Sequence, residues 1–215
     1  MSDVVARMLD PTASAQLAAH AAPRRALFLD RDGVLNVDHG YVHDQVNTDF
    51  LPGIFELVRE ANALGFVTVI VTNQAGIARG LYTEDTFRAY TRWVHATFAD
   101  AGAPLLATFF CPHHPTAGQG ELLRACACRK PAPGMLRQAQ RELGIAMSDS
   151  ALFGDKRSDL QAAVAAGVTT RVLLGTDGRA EPTDEAPEAT ARFRSLAEAV
   201  ASPWWRARHA AVRHG

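Results

Sequence analysis

No apolar run in this chain of 215 residues approaches the roughly 20 residues that a membrane-spanning helix requires. The start, Met1 to Pro23, also lacks the basic-then-apolar order of a secretory signal, so a cytoplasmic location is expected. An excess of one charge is missing as well: 22 Lys and Arg face 23 Asp and Glu, a net charge of -1. Neither nucleic acid nor a membrane is therefore expected as a partner, and an anionic substrate has to be held by a local cluster of cations. Cysteine is scarce. Its three copies, Cys111, Cys126 and Cys128, are odd in number and crowd into eighteen residues, which argues against a disulfide framework and for metal binding in a reducing compartment. There is no internal repeat. With 47% hydrophobic residues the chain can bury one sizeable core but is too short for two generous domains.

What is present alternates between short buried runs and helical periods. Ala26 to Leu29 is an apolar run stopped by Asp30 and Gly33, as suits a buried strand whose end presents polar side chains. Pro52 and Gly53 introduce Ile54 to Leu64, where Ile54, Leu57, Val58, Ala61 and Leu64 recur at helical spacing before Gly65. Phe66 to Val71 predicts a second strand, Thr83 to Ala101 a long helix closed by Gly102, and Leu105 to Phe110 a third strand. After a loop rich in Cys, His, Pro and Gly come a helix over Pro133 to Leu143, a strand over Ala151 to Phe153, a helix over Asp159 to Ala166 and a strand over Thr170 to Leu174. This order implies an α/β fold, a Rossmann-like doubly wound parallel sheet with helices on both faces. Gly175 to Pro187 reads as a surface connection, followed by a short strand over Ala191 to Phe193 and a helix over Leu196 to Ala201. Trp204, Trp205 and the basic tail are expected to dock on the body. The organisation expected is a poorly ordered extension over residues 1–23, one domain over 24–180, and a C-terminal extension over 181–215 packed on it.

Four polar groups fall at predicted strand ends, where an open α/β sheet places its ligands. Asp30 and Asp32, two residues apart, can bind one hard cation while one carboxylate attacks and the other shuttles a proton. Thr72-Asn73-Gln74 offers a hydroxyl and backbone N–H groups to phosphate oxygens. Lys130, ahead of a helix, can neutralise a transferring phosphoryl group, and Asp155 supplies another acidic ligand at the same sheet edge. Each element alone is also explained by turn or cap chemistry; the four in order are not. Cys111, Cys126 and Cys128 with His113 or His114 can close a tetrahedral site with no open position, the mark of structural zinc, and the C-x-H spacing favours His113. Such a loop, residues 111–128, would hold Arg129 and Lys130 against the site.

The order Asp-x-Asp, Thr, Lys, Gly-Asp over residues 26–159 resembles the four motifs of the haloacid dehalogenase superfamily. The resemblance implies a magnesium-dependent phosphatase in which Asp30 forms an aspartyl-phosphate and Asp32 protonates the leaving group. Thr72 and Lys130 would steady the phosphoryl group, and Asp155 would help hold magnesium with Asp30 and Asp32. Cys-Pro-His-His-Pro, the twelve residues between His113 and Cys126, and Cys-x-Cys-Arg-Lys-Pro are similar to one branch, that of the heptose-bisphosphate and histidinol-phosphate phosphatases, and more closely to its heptose side. Membership of that branch implies His113 as the fourth zinc ligand. It also implies substrate contacts from Asp38, His39, Gly40, Tyr41, Asn73, Gln74, Ala75, Arg129 and Lys156, and a place in nucleotide-activated heptose synthesis. No long insertion separates Asp30 from Thr72, so no large cap domain is expected. The expected partner is a small sugar phosphate, acted on by a monomer. Histidinol phosphate or another small sugar phosphate is the nearest rival substrate, and a non-catalytic zinc-stabilised binding module is the rival of another class.

Overall fold

The computed structural model describes residues 5–175 and 186–210. In chain order the strands are β1 (Ala6–Leu9), β2 (Arg25–Leu29), β3 (Phe66–Asn73), β4 (Ala107–Cys111), β5 (Ala151–Gly154), β6 (Thr170–Leu174) and β7 (Ala191–Phe193). The helices are α1 (Ala13–Ala19), α2 (Ile54–Ala63), α3 (Ala75–Ala78), α4 (Glu84–Asp100), α5 (Gly134–Leu143), α6 (Arg157–Ala166), α7 (Leu196–Ala201) and α8 (Trp204–Ala210). They build a seven-stranded sheet in the order β1-β4-β3-β2-β5-β6-β7. The strands from β2 onward are parallel, and the sheet is mixed only because β1 runs antiparallel along β4.

The central strands are mostly apolar, with Thr68 a buried exception inside β3, because both faces are covered. Ala26 and Phe28 of β2, with Val67, Val69 and Val71 of β3, face one core cluster. Leu27, Leu29, Phe66 and Ile70 face the other, against Leu57, Val58 and Ala61 of α2. The chain moves outward from β2 to β3 and β4, then returns to β5 on the other side of β2. That reversal opens a crevice at the carboxyl ends of β2, β3 and β5, where ligands of such sheets bind. Residues 30–53, between β2 and α2, contain no helix or strand, so no cap domain is inserted at this point of the chain.

The extension expected over residues 1–23 is corrected from Val5 onward. Ala6 to Leu9 pairs with Phe110 to Ala107, and Val5 and Ala13 are buried in the core. The segment is also fastened by polar groups: His95 Nδ1 lies 2.9 Å from Asp10 Oδ2 and its Nε2 2.9 Å from Thr108 Oγ1, all three residues being buried. A buried polar network of this kind is stabilising only when complete, which ties the segment to α4 and β4 together. Among the described residues of the tail, Trp205 docks as expected. Trp205 is fully buried, its ring packed on Phe66 and Phe153 with centroids 5.4 and 5.6 Å away. The boundary expected at residue 180 lies outside the described residues. Beyond it, β7 extends the sheet by pairing with β6.

Candidate active site

Asp30 is the first residue after β2, with its backbone N–H bonded to the Phe153 carbonyl of β5. Its Oδ1 accepts from the Arg31 N–H at 2.7 Å and contacts Lys130 Nζ at 2.8 Å. Lys130 also reaches Asp159 Oδ1 at 2.7 Å and donates to the Val71 carbonyl at 2.8 Å, so its three donors are all engaged. Burial alone would discharge this lysine, but Asp159 and Asp30 outweigh it and raise its pKa. Asp155 follows β5 directly. Its carboxyl is pushed up to about 7, by burial first and then by the charge of Asp30. Asp30 is raised as well, by burial and then by Asp159 working against Lys130. The backbone makes room for this crowding at two glycines: a Cβ on Gly33, which also has φ 90°, would collide with the Asp155 carboxylate, and one on Gly154 would collide with Asp159.

Asp159 is a site residue that the sequence marks only as the start of a helix. It is a cap, accepting from the Lys156 N–H at 3.0 Å, and its other oxygen holds Lys130. Asp30, Asp155 and Asp159 bring one carboxylate oxygen each to within 4.8 Å of the others. The expected trio had Asp32 where this cluster has Asp159; the Asp32 carboxylate lies outside the cluster, where Arg31 grips it through Nε and Nη2 at 2.8 to 3.1 Å and Asn36 Nδ2 at 3.1 Å. Asp32 still lines the same cavity.

Thr72 is the penultimate residue of β3. Gln74 Nε2 donates to its Oγ1 at 2.8 Å, and Tyr82 Oη donates to Gln74 Oε1 at 2.6 Å. Because the Thr72 oxygen is already an acceptor, its own proton is directed elsewhere. Burial pushes the Tyr82 phenol up to about 12, so it stays a donor. Asn73 clamps Lys130 from both sides, its Nδ2 giving to the Lys130 carbonyl and its Oδ1 taking from the Lys130 N–H, each at 3.1 Å.

These groups open into a cavity of about 460 Å³. Of the expected contacts, Asp38, Gly40, Tyr41, Asn73, Gln74, Ala75, Arg129 and Lys156 line it. His39 is not part of the lining: its Nε2 lies 2.7 Å from Asp49 Oδ2 in an exposed pair. Lys156 Nζ reaches Asp38 Oδ2 at 3.2 Å, and Tyr41 holds a φ of 57°, a conformation costing roughly 1–3 kcal/mol outside glycine. Sequence reasoning missed Arg79, Tyr82, His114 and Ser158, which also line the cavity. The pKa of His114 is lowered by desolvation and then by the charges of Arg129 and Arg79.

Beside the cavity, Cys111, His113, Cys126 and Cys128 gather as expected. The sulfurs lie 3.2 to 3.5 Å apart, and His113 Nδ1 is 3.7 Å from Cys111 Sγ and 3.4 Å from Cys128 Sγ. All three cysteines are free thiols. Four soft donors around one point, with none left over, suit a tetrahedral structural metal. His114 is turned away, its Nδ1 accepting from the Ala117 N–H at 3.0 Å, which leaves His113 as the fourth donor.

The carboxylate cluster fits a divalent cation on its own evidence. Asp155 Oδ1 is buried with no hydrogen-bond partner, and three buried carboxylates outnumber the one buried lysine among them. The sign of the pH dependence follows from Asp155. Its folded pKa lies above the ordinary carboxylate value, so without a cation stability falls as pH rises from about 4 through about 7. A cation that takes the proton's place gains most above that range. Saturating magnesium should therefore raise the melting temperature of metal-stripped protein more at about pH 8 than at about pH 6, and equal rises would remove Asp155 from the metal site.

Residues 127–199 match the HAD-hydrolase-like family model. The chain is 52% identical over 151 residues to D-glycero-beta-D-manno-heptose-1,7-bisphosphate 7-phosphatase of Yersinia pestis, covering 70% of this chain and 80% of that protein. It is 46% identical over 166 residues to the protein of the same name from Vibrio cholerae, covering 77% and 88%. Among solved structures, D,D-heptose 1,7-bisphosphate phosphatase from B. bronchiseptica, complexed with magnesium and phosphate, aligns with a TM-score of 0.71 at 33% identity over 85% of this chain and 99% of that one. With the acidic cluster, the flanking thiols and this shared length and fold, the chain belongs to the heptose-bisphosphate phosphatase family of HAD-like hydrolases.

Proposed function

We propose that this protein removes the 7-phosphate of D-glycero-β-D-manno-heptose 1,7-bisphosphate, through a phosphoryl intermediate on Asp30, in cytoplasmic nucleotide-activated heptose synthesis. The observation that carries this reading is the meeting of Asp30, Asp155, Asp159 and Lys130 at the switch point of the sheet, beneath a cavity with more cations than one phosphoryl group needs. Asp30, Asp155 and Asp159 would hold magnesium, which when bound supplies positive charge to the phosphoryl oxygens. Oδ1 of Asp30 is taken by Lys130 and the Arg31 N–H, which leaves Oδ2 to attack phosphorus in line. Asp32 gives its proton to the departing sugar oxygen. It then takes one from the water that cleaves the acyl phosphate, releasing phosphate and restoring Asp30. Thr72, its hydroxyl proton freed by Gln74, and Lys130 stabilise the phosphoryl oxygens.

Asp38, Gly40, Tyr41, Asn73, Gln74, Ala75, Arg129 and Lys156 surround the rest of the substrate in this reading, with Arg129 and Lys156 meeting its charge. Zinc on Cys111, His113, Cys126 and Cys128 has a structural part: Arg129 and Lys130 directly follow the last ligand, and the metal fixes where they start. The protein acts as a monomer on a small soluble substrate; among the described residues no helix is long and apolar enough to cross a membrane. The test is a comparison of kcat/KM on the heptose bisphosphate and on histidinol phosphate. The bisphosphate should be preferred by roughly 10- to 100-fold, since a charged contact contributes about 1.5–3 kcal/mol; a preference for histidinol phosphate would overturn the substrate.

A further inference from the structure

Arg31 stands between two carboxylates of the site and touches both. Its backbone N–H donates to Asp30 Oδ1 at 2.7 Å, and its guanidinium holds Asp32. The side chain is buried and takes no part in lining the cavity, so it meets no substrate. Burial alone would lower its pKa, but the neighbouring Asp32 carboxylate outweighs burial and raises it. The rings of Phe87 and Tyr90, with centroids 5.6 and 5.3 Å from Cζ, confine the guanidinium. A buried ion pair of this kind is weak evidence for stability, because apolar side chains can fill such a space at least as well.

Its geometry points to another use. Asp32 Oδ1 accepts from Arg31 Nε at 3.1 Å, from Arg31 Nη2 at 2.9 Å and from Asn36 Nδ2 at 3.1 Å. Among the described residues Oδ2 takes one bond, from Arg31 Nη2 at 2.8 Å. With three donors on Oδ1, a proton carried by Asp32 belongs on Oδ2. The same two side chains also hold a wall of the cavity. Arg31 Nη2 donates to the Val42 carbonyl at 2.6 Å, and Asn36 Nδ2 donates to the Val37 carbonyl at 2.7 Å. Between those two carbonyls lie Asp38, Gly40 and Tyr41 of the cavity lining.

We propose that Arg31 is a positioning residue for the leaving-group step, fixing the Asp32 carboxylate in one rotation so that Oδ2 delivers its proton to the departing ester oxygen. This rests on the reading of Asp32 as the acid and assigns the group that aims it. A carboxylate free to rotate would have to be ordered at each turnover, and a fixed fork of two N–H donors removes that cost beforehand.

The test is kcat/KM over a series of substituted phenyl phosphates on the magnesium- and zinc-loaded wild type, Arg31→Gln, Arg31→Lys and Asp32→Asn. The common ring makes the same contacts throughout, and p-nitrophenolate leaves without a proton whereas phenolate gains from one. Arg31→Gln should lose roughly 10-fold or more on phenyl phosphate relative to p-nitrophenyl phosphate, a part of what Asp32→Asn loses. Arg31→Lys, which keeps the charge and gives up the fork, should recover some of that difference. Each comparison is a ratio within one protein sample, so a fraction that fails to fold does not alter it. Equal losses on all esters in Arg31→Gln, beside a selective loss in Asp32→Asn, would overturn the positioning role and leave the acid reading intact. No selectivity in Asp32→Asn would overturn both.

Discussion

Asp30→Asn should abolish magnesium-dependent hydrolysis, lowering kcat by roughly 10⁴-fold or more, while the protein stays folded. An amide has the shape of the carboxylate but neither its negative charge nor its nucleophilic oxygen. Many active-site changes lower activity by disturbing the fold, and the geometry here separates that outcome from this one. Lys130 keeps Asp159 and the Val71 carbonyl when Asp30 is neutralised, so no buried ammonium is left alone. The substitution also removes one of three crowded carboxylates, which relieves Asp155 of the charge that helps raise it. Circular dichroism and thermal melting of the variant should match the wild type in the absence of metal, and undiminished turnover would contradict the nucleophile assignment.

Cys128→Ser should cost metal content, stability and activity together. Cys128 is buried at the point where the loop returns to the core, 3.2 Å from both other sulfurs. Residues 112–127 contain no α-helix or strand, and Leu123 is exposed, so few apolar anchors hold them. Without a metal the Cys128 thiol is raised by its hydrogen bond to Cys111 and by burial, which favours the protonated, collapsed cluster over a thiolate cage. Loss of zinc would release the chain just before Arg129 and Lys130, leaving Lys130 to the Asn73 clamp and its own side-chain bonds and Arg129 without its anchored neighbour. Elemental analysis should show zinc falling from about one per chain to near zero, with kcat/KM down by roughly 10- to 100-fold. A fully active, equally stable variant without zinc would discredit the structural role of the metal.

The strand ends were the most legible part of the sequence. Ala26 to Leu29, Phe66 to Val71 and Ala151 to Phe153 are apolar on both faces, so the polar residues that stop them mark the sheet edge directly. The thiols were legible because no other cysteine competes for the role. The first strand was not. Ala6 to Leu9 alternates between half-buried and exposed side chains over four residues, too short a period to stand out beside an Ala-rich stretch.

Loop conformation hid the rest. Asp32 meets Arg31, its immediate neighbour, only because residues 31–36 turn back through the Asn36 bonds to the Arg31 carbonyl and to Asp32. His39 sits next to a cavity residue in sequence yet pairs with Asp49 across a loop whose path no periodicity describes. Asp159 carried a recognisable signal, an acidic residue in the first turn of a helix, but one carboxylate oxygen satisfies the cap while the other serves the site.

The most direct test is to find where phosphate is attached during turnover. Acid quenching of a single turnover on the heptose bisphosphate, followed by reduction with tritiated borohydride, should convert the acyl phosphate to homoserine at position 30 and nowhere else on peptide mapping. Label at another residue, or burst-phase phosphate release with no trapped acyl phosphate, would contradict the account.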